Sequence, residues 1–131
     1  MRVYSFEGAE LRTLRPRPDV VHTIFRGYFG PSCVSPIMDV VAAALSECPT
    51  IVAFHDWQEL RGYDSHARVR LTSWTFPRLP VIRSLDILLT VDSRVLTIGI
   101  AASNLVLSGR MRVHEERASF EHAFAAALAA R

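Results

Sequence analysis

Lysine is absent from this chain of 131 residues: all fifteen basic side chains are arginines, against thirteen acidic residues, for a net charge of +2. A genome whose base composition favours arginine codons accounts for this, and the arginines are scattered rather than gathered into a stripe or a tail. Nucleic-acid binding needs a clustered basic footprint, so no nucleic-acid partner is expected. Cysteine is scarce too. Cys33 and Cys48 form no C-x-x-C pair and flank a predicted helix of ~18 Å, too long for a disulfide to bridge. Reduced thiols in a cytoplasmic protein are the expectation.

No uninterrupted apolar run approaches the roughly 18–20 residues of a membrane span, and the first residues lack the apolar core of a secretory signal. No transmembrane segment is expected. Gly62 and Gly99 stand alone, so no phosphate-cradling loop exists, and His22, His66, His114 and His122 lack zinc-ligand spacing. Neither a cofactor nor a metal is expected.

Half of the residues are apolar, which excludes a disordered chain and suits a single domain over 1–131. Residues 2–6 and 9–15 read as extended pieces around Glu7-Gly8, and Arg15-Pro-Arg-Pro18 as a stiff connector. Val20–Phe29 is β-branched and aromatic, a strand. Ser35-Pro36 marks a helix start that Pro49 ends. Ile51–Phe54 reads as a short buried strand, followed by a loop over 55–63. Asp64-Ser65 opens a second helix with Ala67, Leu71 and Trp74 on one face, closed by Pro77 and Pro80. Leu85–Val91 is another strand. Asp92-Ser93 then caps a helix to about Leu107, with a predicted core stripe of Val95, Ile98, Ala102 and Leu105; Gly99 leaves an extended reading open. Arg110–His114 suits an edge strand, and Ala118–Ala130 a helix facing inward through Phe120, Phe124 and Leu128.

Strands alternating with helices imply an α/β domain with parallel pairing. The order resembles the STAS domain, the SpoIIAA-like family of anti-sigma-factor antagonists. Ile51–Phe54 followed by Asp64-Ser65-His66-Ala67 is similar to that family's central strand and the Asp-Ser at its next helix. Ile24-Phe-Arg-Gly27 is similar to its strand before the first helix, and Leu85–Val91 leading into Asp92–Leu96 to its following strand and helix. The likeness covers roughly residues 18–130. Here Asp-Ser-His-Ala stands where the family usually writes Asp-Ser-Ser-Gly, which marks an atypical member. The resemblance implies a mixed sheet with about four helices mainly on one face. It also implies a bacterial, non-catalytic regulatory module with a protein partner, an anti-sigma or other regulatory protein.

The candidate interaction or phosphorylation site follows from the same region. Ser65 at a helix amino terminus sits where free amides favour a phosphate, although Asp64 or Ser65 can equally serve only as a cap. Tyr63, Trp57, Arg61 and Arg68 would form a contact patch, since Trp, Tyr and Arg dominate binding hot spots. His55 and Asp56 follow the carboxyl end of a central strand, where ligands of open sheets gather. With Ser65 they hold the residue types of a hydrolytic triad, but no G-x-S-x-G surrounds the serine, so the domain reads as no enzyme. Alternatives are a lipid or small-ligand carrier of CRAL-TRIO kind, with a cavity bounded by Phe54, Leu71, Trp74 and the helix from Ser93, or an immunity or antitoxin protein. A homodimer is compatible with all of these.

Overall fold

The computed structural model describes residues 1–90 and 93–130. Six strands lie in one sheet in chain order: β1 (Arg2–Phe6), β2 (Ala9–Arg17), β3 (Val20–Phe29), β4 (Ile51–Tyr63), β5 (Ile82–Leu88) and β6 (Met111–His114). The first three pair antiparallel; β3 to β6 are parallel. The connections are α1 (Val34–Glu47), α2 (Ser65–Thr75) and α3 (Arg94–Val106), and α4 (Arg117–Ala129) ends the fold. Successive crossovers of one hand, moving in one direction along the sheet, place their helices on one face. There Val21, Phe25, Ala53, Trp57, Leu85 and Ile87 meet Ile37, Val41, Ala67 and Leu96. The other face carries a smaller core, in which Val20, Val52, Phe54 and Leu88 receive Phe120 of α4. Three helices on one side and one on the other match the mixed sheet expected. No helix among the described residues is long and apolar enough to cross a membrane.

Several boundaries differ from the sequence reading. The segment 55–63 is no loop: β4 continues to Tyr63, pairing with β3 as far as Phe29↔Tyr63. The ten residues of β3 offer an edge long enough to extend it. Irregular register between Ile24 and Arg26 and again between Gly27 and Tyr28 absorbs the extra residues. β5 pairs only as far as Asp56↔Leu88, so Trp57–Tyr63 project past it. β5 itself starts at Ile82 rather than Leu85; Val91 and Asp92, including the capping role expected of Asp92, lie outside the described residues. Ser35 does not begin α1. A 3₁₀ turn at Pro31–Cys33 leads straight into Val34, which puts Pro36 in the first helical turn. The supposed connector at 15–17 belongs to β2, with its register broken between Leu14 and Arg17, around Pro16.

The stripe predicted for α3 points the wrong way. Val95, Ile98 and Leu105 are 63–83% exposed, and the buried positions are Leu96, Gly99 and Ser103. The segment is helical in spite of Gly99. That glycine is required by its neighbour: a Cβ there would lie 2.3 Å from the Tyr63 hydroxyl. Small residues one turn apart let α3 approach closely, and close approach outweighed apolar periodicity.

Gly27 is equally constrained. Its φ is +99°, and a Cβ would fall 2.1 Å from the Gly8 carbonyl oxygen, in the backbone of the β1–β2 turn. Gly27→Ala combines left-handed strain with a backbone clash and is expected to cost at least about 2 kcal/mol. Urea unfolding measures this; an unchanged midpoint contradicts it.

Candidate functional site

The overhanging end of β4 forms part of the floor of a cavity beneath α2 and α3. Its volume is about 80 Å³. Trp57, Leu60, Leu85 and Ile87 lie beneath it, while Leu71 of α2 and Ile100 of α3 lie above. Neither Asp nor Glu lines it.

Polar groups tie the roof together. Asp64 caps α2, its carboxylate accepting from the Ala67 amide at 2.9 Å. One turn on, Arg68 donates through Nη1 to the Ser103 hydroxyl of α3 at 2.9 Å. The Thr72 hydroxyl donates to the Arg68 carbonyl and lies 2.9 Å from Ser103 Oγ. Tyr63 packs over Gly99 and donates to the Val95 carbonyl at 2.9 Å, with the Arg68 guanidinium 5.8 Å from its ring centre. Arg68 thus joins both helices and the end of β4. Its Nε is buried with no partner among the described residues, and no carboxylate there lies within ion-pair distance.

His55 also lines the cavity, at 9% exposure. Its Nδ1 lies 2.6 Å from the Thr23 hydroxyl, which accepts from Trp57 Nε1 at 3.0 Å. The hydroxyl's own proton has no other acceptor among the described residues, so it goes to Nδ1. This network assigns the proton of neutral His55 to Nε2, which has no hydrogen-bond partner among the described residues. Burial pushes the imidazole down to about 4, helped by His22 and opposed by Asp86, so it is neutral at pH 7.

The remaining predicted residues separate. Strand alternation turns Asp56 to the opposite face, where Arg117 of α4 grips it at 3.0 and 3.1 Å. His55 and Asp56 therefore cannot work together, and no triad with Ser65 forms. Ser65 and His66 are exposed at the start of α2, where a visitor could reach them. Trp57 is buried against Phe25 and Phe29, which removes it from any surface patch; Arg61 is exposed. The predicted cavity walls hold for Leu71 and α3. Phe54 instead faces α4, and Trp74 stacks under Arg78, 3.8 Å from its ring centre.

Sequence reasoning missed Thr23, Thr72 and Ser103; the pairing of Gly99 with Ser103, four residues apart, was the available signal for the last. It also missed a chain on the α4 face. The fully buried Asp86 carboxylate meets His114 Nε2 at 2.7 Å and Arg112 Nε at 2.9 Å, and His114 Nδ1 contacts Ser119 Oγ. The residue types are those of a triad, but Ser119 is exposed and lines none of the described cavities. Its evident work is to neutralise a buried carboxylate. Among the described residues no three His, Cys, Asp or Glu side chains gather as a metal site. Cys33 and Cys48 are free.

No family model matches the chain, and no curated protein matches it. A solved structure does: an uncharacterised DUF3478-family protein of Shewanella loihica PV-4, described as having a SpoIIAA-like fold. It is 16% identical, with a TM-score of 0.58 over 88% of this chain and 92% of that one.

The neutral burial of His55 has a pH signature. An unfolded imidazole titrates near 6.5 and the folded one near 4, so the unfolded state binds the extra proton between them. Stability from this group is complete above pH 6.5 and lost as pH falls towards 4, by about 3 kcal/mol in all. His22, also lowered mainly by burial, adds in the same direction. Urea midpoints at pH 7.5 and 4.5 should fall less for His55→Leu than for the wild type; equal falls contradict the assignment.

Proposed function

On a chain with the SpoIIAA-like fold, we propose a non-catalytic binding module that takes a small, largely apolar ligand beneath α2 and α3. The observation that carries this is the cavity itself: apolar walls with a few convergent polar groups, Arg68, Tyr63 and His55, between the sheet face and α2 and α3. Size sets the ligand class. The cavity of about 80 Å³ is roughly half of the ~150 Å³ that admits benzene in an engineered core. A short chain fits with slight parting of α2 from α3; a single ring, and still more a long acyl chain, needs the Tyr63 and Arg68 contacts to open.

A second reading, docking of a regulatory protein partner at Tyr63–Arg68, is favoured by one feature. Asp64 does the capping, which leaves the exposed Ser65 hydroxyl spare for contact or phosphorylation. The same helix roofs the cavity, so an occupant that shifts α2 would alter that docking surface. Free thiols at Cys33 and Cys48 suit a reducing cytoplasm.

Ligand-observed NMR with toluene, 2-phenylethanol and hexanol tests the cavity. Saturable binding is expected in the wild type. Leu71→Trp, which fills the cavity from its roof, should weaken it at least tenfold with the circular-dichroism melt retained. No binding by folded wild-type protein, or equal binding by folded Leu71→Trp, overturns the reading.

A further inference from the structure

We propose that the ligand of this cavity is a carboxylic acid, held through its carboxylate by the Nε–Nη2 edge of Arg68. The inference rests on the cavity being a ligand site and adds the chemistry of the head group. Arg68 spends Nη1 on Ser103, which fixes the plane of the guanidinium. The edge left over, Nε with Nη2, is the fork that accepts two oxygens of a planar carboxylate side by side. Nε is closed off with no acceptor among the described residues, which is costly, and a carboxylate reaches it only as the Arg68 and Tyr63 contacts loosen to admit the ligand.

The surroundings supply no internal anion. Arg68 has no acidic partner among the described residues, a state it shares with Arg2, Arg61, Arg70, Arg78, Arg94 and Arg110; of these it is the one that lines the cavity. Asp64, one turn back on the same helix, holds the Ala67 amide. Asp56 and Asp86 face α4. The second free donor is His55 Nε2–H, which is uncharged at neutral pH and leaves the cavity with a single positive charge. One fixed cation, one neutral donor and apolar walls match a monoanion with a short hydrocarbon or aromatic body. Tyr63, over whose ring the guanidinium lies, offers the cation a π face without neutralising it.

Isothermal titration of the full chain at pH 7 tests this with three probes that share a phenyl body: phenylacetate, 2-phenylethanol and phenyl phosphate. Phenylacetate should bind at least tenfold more tightly than the alcohol. Arg68→Met, in folded protein, should remove that difference by weakening the acid far more than the alcohol. Arg68→Lys, which keeps the charge and loses the fork, should fall between. Equal affinity of acid and alcohol for the wild type overturns the role of Arg68 while leaving the cavity a ligand site. So does an equal loss of both in Arg68→Met, which marks a purely structural arginine. Preference for phenyl phosphate over phenylacetate overturns the choice of carboxylate. Failure of every probe to bind folded wild type overturns the cavity reading and this proposal with it.

Discussion

Close approach of α3 to the end of β4 is the constraint on which the site depends. Gly99 has no side chain, so the Tyr63 ring can lie over the helix and bond the Val95 carbonyl; Ser103, one turn on, is small enough to meet Thr72 and Arg68. A larger residue at either position would lift α3 and uncover the core. The contact also explains why an apolar helix shows solvent Val95, Ile98 and Leu105: of its apolar sides, the one that packs is the one carrying Gly99 and Ser103 beside Leu96 and Ile100.

The two faces of the sheet handle buried charge in opposite ways. Against α4, each buried or half-buried carboxylate is matched: Asp86 by Arg112 and His114, Asp56 by Arg117. Against α2 and α3 the order is reversed, and a half-buried arginine has only hydroxyl and ring neighbours among the described residues. A fold that neutralises charge so consistently on one face and leaves a cation alone beside a cavity on the other is better explained by a ligand than by neglect. His55, sunk beside the same space, bonded to Thr23 and kept neutral by burial, belongs to that arrangement.

Much of the architecture was legible in the sequence. The β-branched run Val20–Phe29, the Asp64 cap and the Phe120-Phe124-Leu128 spacing each carry a local physical signature, and each element formed where that signature lay. β4 was misjudged because His55, Asp56 and Gln58 look like loop residues. All three have partners no local pattern reveals, Thr23 of the neighbouring strand for His55 and Arg117 of α4 for both Asp56 and Gln58. Strand alternation, with Trp57 and Leu60 facing in, was present but broken by the register irregularities. Arg68 and Tyr63 were named from residue type alone. That they enclose a cavity, while Trp57 lies beneath it, depends on the tertiary contact at Gly99.

Ligand placement can be read directly from NOEs between bound phenylacetate and the methyl groups of the protein. The account predicts cross-peaks from the phenyl protons to Leu71, Ile100 and Leu107, which line the cavity. Cross-peaks confined to Val95, Ile98 and Leu105 on the outer side of α3 would contradict it.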